Sequence, residues 1–356
     1  MFQQKINNYK FMKKYLIIYH REDNDGVVSG ALFYDYLTST LNIDKFEITL
    51  FGADYNLLAQ FEKDHPIKTL KEEYENIIMT DISFNDGKYM KKIYDEYNDK
   101  LFIWCDHHKP IIDESFSLGF ADALGVRNTS KSAILCVYEY LYDAFNEHYN
   151  NKDVPELFRI LSAWDSWSYE REGYEFDYVK AINKAYTIKF NLNFDLIAAH
   201  VHNIIKYWNE GHKNIVDIKS FLDYGEILNN YDDVVMEGII QQSGDKTWQI
   251  AVYDEDKGRP LYIKACAIFH QGATNSTMFK SLKKTDKDIQ LGLVFKHSPN
   301  RNWVLSMYNI NDDYWFHCGE FLKQNYNGGG HKGAAGCTLT QEQFIKILKD
   351  RTLYGK

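Results

Sequence analysis

Proline is scarce, at five of 356 residues, and the chain has no long apolar run. The first hydrophobic stretch, residues 15–19, is far shorter than the roughly 20 residues that span a bilayer, and too short for the core of a secretion signal. The fourteen residues before it are polar and carry Lys5, Lys10, Lys13 and Lys14. A membrane partner is therefore not expected, and the expected location is the cytoplasm. Cysteine is also sparse. Cys105, Cys136, Cys266, Cys318 and Cys337 form an odd set without a C-x-x-C pair, which excludes a disulfide framework and makes reduced thiols the expectation. An excess of positive charge is missing too: 41 Lys and Arg face 50 Asp and Glu, for a formal net charge of −9. A protein that coats long duplex nucleic acid is usually basic, so that class of partner is excluded, whereas a small anion neutralised locally by metal ions is not. Internal repeats and low-complexity segments are absent.

What is present is ordinary globular composition, 45% hydrophobic and 26% charged, in a chain long enough for two domains with separate cores. The 27 tyrosines read as core and half-buried surface. Short apolar runs at residues 15–19, 46–53, 76–79 and 101–105 read as strands. Helical spacing at 26–41, 56–63 and 85–97 separates them. This alternation predicts a parallel sheet covered by helices. Residues 130–149 and 155–167 read as helices, with Thr129 or Ser130 as N-cap, and 194–231 as mainly helical. Strands return at 248–253, 289–295 and 302–307. A helix at 313–324, a glycine-rich turn, a strand near 336–339 and a last helix from Gln341 complete a smaller α/β domain. The domains expected are a catalytic metal-binding domain over 1–210, a helical linker over 211–240 and a substrate-binding domain over 241–356.

Four segments carry acids and histidines beside these elements: His20 to Gly26 (HREDNDG), Met79-Thr80-Asp81, Cys105-Asp106-His107-His108, and Ala163-Trp164-Asp165. In an open parallel sheet, ligands sit beyond the carboxyl ends of the strands, and the first three segments fall at that edge. Taken singly, each has a plainer reading as a helix cap, a turn or a solvated polar residue. Taken together, carboxylates mixed with imidazoles suit Mn²⁺ better than an all-oxygen or a thiolate set would. A pair of such ions about 3.5–4 Å apart can clamp the attacking and leaving oxygens of a displacement at phosphorus.

Asp106-His107-His108 after an apolar strand resembles the signature of the DHH phosphoesterase superfamily, and the other three motifs match in order across residues 15–170. The run Gly328-Gly329-Gly330-His331-Lys332-Gly333-Ala334-Ala335-Gly336 is similar to the signature of the associated DHHA1 domain. The resemblance implies an N-terminal parallel-sheet DHH domain with flanking helices, plus a smaller C-terminal α/β DHHA1-like domain. It implies two Mn²⁺ ions, with Mg²⁺ as a substitute. His20, Asp23 and Asp81 would hold one, and Asp25, Asp81, His107 and Asp165 the other, Asp81 bridging. His108 would face the substrate, with Asp106 supporting the histidine pair. Gly328, Gly329 and Gly330 would bring backbone N–H groups to a phosphate, with His331 adding a side-chain donor. Two departures stand out. Only two residues separate His20 from Asp23, so Glu22 is an alternative ligand. The family's Ser-x-Arg-Ser segment is replaced here by Leu305-Ser306-Met307-Tyr308-Asn309, where Tyr308 is either a stacking residue or part of the core.

The activity the resemblance implies is hydrolysis of short oligonucleotides or dinucleotides to mononucleotides by a metal-activated water. Cyclic-dinucleotide phosphodiesterase and 3′-phosphoadenosine 5′-phosphate phosphatase remain alternatives. A non-catalytic nucleotide-binding protein is a more remote one, because all four expected Asp positions are filled. A homodimer is compatible with the resemblance.

Overall fold

The computed structural model describes residues 13–40, 46–84, 86–97, 101–144, 149–213, 216–254, 257–272, 276–279, 281–298, 302–311, 315–330 and 332–355. The chain divides into two compact units, Met1–Leu228 and Asn229–Lys356.

The first unit carries strands β1 (Lys13–His20), β2 (Phe46–Ala53), β3 (Asn76–Thr80) and β4 (Leu101–Cys105). Helices α1 (Asn24–Thr40), α2 (Tyr55–Asp64), α3 (Ile67–Glu73), α4 (Gly87–Glu96) and α5 (Lys109–Leu118) alternate with them. Then follow α6 (Ala133–Ala144), α7 (Glu156–Asp165), α8 (Phe176–Phe190), α9 (Phe194–Asn209) and α10 (Ile218–Ser243), the last running on into the second unit. The four strands are all parallel, in the order β2-β1-β3-β4. Successive strand residues face opposite sides of the sheet, and both sides are dry. Tyr15, Ile17, Tyr19, Ile78, Ile103 and Cys105 join one core, under α1 and α6 to α9. Leu16, Ile18, Ile77, Met79, Phe102 and Trp104 join the other, under α2 to α5. This two-sided burial is why the strands read as unbroken apolar runs. The α/β class expected from the sequence is the class observed.

The strand order reverses direction between β1 and β3: the connection from β1 goes to β2 on one side, and that from β3 goes to β4 on the other. Beyond the carboxyl ends of two strands at such a switch point, the connecting loops diverge and leave a crevice.

The second unit has a seven-stranded mixed sheet in the order β11-β5-β6-β7-β8-β10-β9. Its elements are β5 (Asp245–Asp254), β6 (Arg259–Phe269), α11 (Leu282–Thr285), β7 (Leu291–His297), β8 (Trp303–Asn309), α12 (Cys318–Tyr326), β9 (Gly329–Gly330), β10 (Ala334–Leu339), α13 (Gln341–Asp350) and β11 (Thr352–Tyr354). Strand β6 and helices α3, α5 and α8 were not anticipated from the sequence. All five cysteines are free and buried. Among the described residues no helix is long and apolar enough to cross a membrane.

Some expectations need correction. Helix α6 begins at Ala133, and neither Thr129 nor Ser130 caps it: the Ser130 hydroxyl and N–H both donate to Asn128 Oδ1, closing a separate turn. Tyr308 takes the core reading, 8% exposed and packed toward Phe279, so it offers no face for stacking. Helix α12 starts five residues later than the pattern suggested, with His317 as its N-cap.

Candidate metal centre

Strand β1 ends on His20, and α1 begins four residues later. The turn is this tight only because residue 26 is glycine: any side chain there would drive its Cβ into the His20 carbonyl. Asp23 divides its carboxylate between two tasks. Its Oδ1 accepts the Gly26 N–H at 2.9 Å, the plain capping role, while Oδ2 lies 2.8 Å from His20 Nδ1. Asp25, in the first turn of the helix, is 2% exposed. Its two oxygens accept the N–H groups of Ala133 at 2.7 Å and Ile134 at 3.0 Å, so it caps α6 from 108 residues away.

Asp81 follows β3 with φ 56°, in the left-handed region that a non-glycine residue seldom occupies. It is 2% exposed, and its two oxygens point to different neighbours: Oδ2 lies 3.5 Å from His20 Nδ1, and Oδ1 lies 3.1 Å from His107 Nε2. His107 Nε2 is also 3.3 Å from Asp165 Oδ2 and 3.8 Å from Asp25 Oδ2. Asp165 is the last residue of α7, where the helix dipole disfavours an anion. Its placement there has a cost that something in the crevice must offset.

Asp106 is fully buried and saturated. Its Oδ1 accepts the backbone N–H groups of His107 (2.7 Å) and His108 (3.1 Å) and faces His108 Nδ1 at 2.7 Å, while Oδ2 accepts Trp104 Nε1–H at 3.1 Å. Both of its oxygens are committed to these donors, so it acts as a positioning residue: it orients the His108 ring and leaves Nε2 as that ring's nitrogen free of Asp106. Trp104 was not singled out from the sequence, although its position two residues before Asp106 puts both on one face of the strand. Glu22 is largely exposed and lies 3.8 Å from His20 Nε2, outside the three trios described below.

The ligating atoms of three trios lie within 4.8 Å of one another: His20, Asp23 and Asp81; Asp25, His107 and Asp165; and Asp81, His107 and His108. Asp81 belongs to two of them. Three buried atoms in these trios make no hydrogen bond, namely His20 Nδ1, Asp81 Oδ1 and Asp165 Oδ2, although each has a polar neighbour within 3.5 Å. Atoms that crowd without aligning on one another converge on points between them. A buried orphaned acceptor costs about 1–3 kcal/mol, and more when charged. A divalent cation at those points would satisfy all three.

The titration behaviour agrees. Burial, and then the charge of Asp25, pushes the Asp81 carboxyl well above its ordinary range. Burial and the charges of Asp25 and Asp81 do the same to Asp165. Asp25 is raised by burial, against the pull of His107. Burial works against protonation of His20, but Asp23 and Asp81 outweigh it and push the imidazole up to about 10. Burial likewise opposes the charged form of Asp23, and its close pairing with the His20 imidazole outweighs it, so Asp23 stays below the usual carboxylate range. His108 is raised chiefly by Asp106, again against burial. The donor set fits a hard or borderline divalent ion with mixed oxygen and nitrogen ligands.

The glycine run lies in the second unit. Asn327, at φ 52°, takes the left-handed position that ends α12, so the glycines are not its cap. The Gly328 N–H donates to Leu322 O, and a Cβ there would lie 2.5 Å from Gly336 O. Gly330 has φ 139° and pairs with Ala335. Both thus have structural reasons to be glycine. Gly329 has open space around it and neither constraint. His331 lies outside the described residues.

A scan of the sequence against protein-family models finds no match, and none of the curated proteins matches it. Among solved structures, a pGpG-specific phosphodiesterase from Vibrio cholerae aligns over 95% of this chain and 97% of its own, at 16% identity and a TM-score of 0.44. An exopolyphosphatase-related protein from Bacteroides fragilis aligns over 96% and 91%, at 14% identity and 0.44. RecJ of Thermus thermophilus, solved with Mn²⁺, aligns over 96% of this chain and 51% of its own, at 13% identity and 0.45. The chain is similar to these three in outline, and the side-chain geometry above carries the functional reading.

Proposed function

We propose that this protein is a divalent-metal-dependent phosphodiesterase that hydrolyses short oligonucleotides or dinucleotides to mononucleotides. The carrying observation is Asp81: strained, buried, and presenting one oxygen to each of two ligand groups whose remaining members are His20 and Asp23 on one side and Asp25, His107 and Asp165 on the other. Two Mn²⁺ ions held by these groups, with Mg²⁺ as a weaker substitute, would supply the positive charge that activates water and neutralises a phosphate. The protein's own residues do the rest. Asp106 fixes Nδ1 of His108, so Nε2 of that ring is the donor available to a phosphate oxygen or to the leaving oxygen. The raised affinity of His108 for its proton suits a donor rather than an acceptor. Gly329 is the member of the glycine run that supports the substrate-binding reading, since its exposed backbone sits on the edge strand of the second unit's sheet.

The test is incubation with Mn²⁺ and a panel comprising a dinucleotide, a pentanucleotide, a cyclic dinucleotide, 3′-phosphoadenosine 5′-phosphate and pyrophosphate. Hydrolysis of the first two, abolished by chelation and restored by Mn²⁺, is the expected result. Activity on pyrophosphate alone, or full activity after exhaustive chelation, would overturn the proposal.

A further inference from the structure

We propose that Trp167 is a stacking platform for a nucleobase, so that the metal centre selects phosphoesters that carry an aromatic base. This rests on the phosphodiesterase reading and specifies its substrate class.

Trp167 follows Asp165 by two residues. Consecutive Cα atoms are 3.8 Å apart, so its backbone lies within about 8 Å of that carboxylate's. Its φ is 53°, an outlier for so bulky a residue, and burial does not account for it, since the side chain is 58% exposed. Strained backbone held at the edge of a reactive cluster is where function commonly shapes the chain. The indole does not move freely there. Trp164 lies nearly parallel to it at 6.1 Å and 25°, and Phe176 at 6.1 Å and 24°, with Tyr169 tilted against it at 6.4 Å. Aromatic neighbours thus hold the ring while more than half of the residue stays open to solvent.

The opposite end of the ligand chain has an aromatic border as well: Tyr55, 37% exposed, lies 6.1 Å from the His20 ring. The nearby guanidinium groups are already committed. Arg127 donates to the carbonyls of Trp104, Leu124, Ala121 and Ala123, and Arg21 pairs with Asp54. A largely exposed indole packed among aromatic rings, two residues along the chain from the Asp165 carboxylate, fits a ligand that is a phosphate at one end and a flat ring at the other. A sugar phosphate or a polyphosphate gains nothing from it.

The experiment is equilibrium binding of AMP and of ribose 5-phosphate, with Mn²⁺ present, to the wild-type protein, Trp167→Ala and Trp167→Phe. Melting temperature and bound manganese are measured alongside. Stacking on one aromatic residue is worth roughly tenfold or more in affinity. Wild type should prefer AMP by at least that factor, Trp167→Phe should keep most of the preference, and Trp167→Ala should bring the ratio close to one with manganese content unchanged. A Trp167→Ala protein that keeps the AMP preference, or that loses both ligands equally together with its manganese, would overturn the proposal. Dinucleotide hydrolysis by wild type separates the two readings. AMP preference without hydrolysis sinks the phosphodiesterase reading and leaves the platform. Hydrolysis with a base preference indifferent to Trp167 does the reverse.

Discussion

Asp25 on α1 accepts the backbone N–H groups of Ala133 and Ile134, binding the start of α6 to the crevice floor. One carboxylate therefore serves both the fold and the candidate metal centre. Asp25→Ala should leave two buried donors unmet, at about 1–3 kcal/mol each. The expected result is a lower melting temperature even without metal, together with loss of metal-dependent activity. Unchanged metal-free stability would contradict the capping role.

Asp81→Asn should behave in the opposite way. Asn tolerates a left-handed φ, which Ala would pay for with about 1–2 kcal/mol, and the change removes one charge from a cluster of mutually repelling acids. The metal-free variant should melt no lower than wild type at neutral pH, yet show no rise on adding Mn²⁺. Its activity should fall by more than the ~10–100-fold typical of residues that only support a metal's ligands. A normal Mn²⁺-induced rise would rule out the shared-ligand assignment.

His107 and His108 are adjacent but should separate on metal counting. His107→Ala removes a ring nitrogen that lies within 3.8 Å of three carboxylates and should lower bound manganese. His108→Ala should retain the metal and lose kcat. Asp106→Asn should resemble a milder His108→Ala, by about 10–100-fold, because it frees the ring without removing it. Equal metal loss in the His107 and His108 variants would refute the division of roles.

The pH dependence of metal-free stability follows from the directions of the shifts. Asp25, Asp81 and Asp165 have folded pKa values raised above the unfolded ones, so between about pH 4 and those raised values the folded state binds more protons and stability falls as pH rises. His20 acts in the same direction: its contribution is complete below its unfolded pKa of about 6.5 and is lost as pH climbs through about 10. His108, also raised, adds to this. Asp23 and Asp106, held low, oppose the trend only in acid, where their contribution disappears as pH drops below the ordinary carboxylate range. Melting temperature measured without metal should therefore fall from about pH 7.5 to pH 9, above the range in which the buried His200, lowered to about 4, acts the other way, and saturating Mn²⁺, which binds the deprotonated forms, should flatten or reverse the slope. A slope indifferent to Mn²⁺ would show that these groups do not bind the metal.

Gly328→Ala and Gly329→Ala test the glycine run. The first places a methyl against backbone and should destabilise the second unit. The second meets nothing within 4 Å and should leave stability intact. If Gly329 approaches a substrate, its variant should lose kcat/KM on a dinucleotide, whereas unchanged kcat/KM would make the run purely structural.

The strands of the parallel sheet were legible in the sequence because both of its faces are buried, which forces unbroken apolar runs such as residues 15–19 and 101–105. The acids and histidines were legible because they interrupt or follow those runs at one edge. The Asp25 cap was not legible, since it joins positions 108 residues apart, and local pattern proposed Thr129 or Ser130 instead. Strand β6 was also missed: five of its first six residues are exposed, and it is held by pairing with β5 and β7. Residue types and their order thus determined on their own that an α/β sheet with a carboxylate and imidazole cluster at its edge would form. Which oxygen of Asp81 faces which histidine, that Asp106 spends its lone pairs on His108 and Trp104, and that Trp167 stands exposed in a strained backbone were decided by tertiary structure alone. The reason is that these depend on distances between side chains brought together from β1, β3, β4 and α7, and no periodicity along one segment encodes the spacing between four.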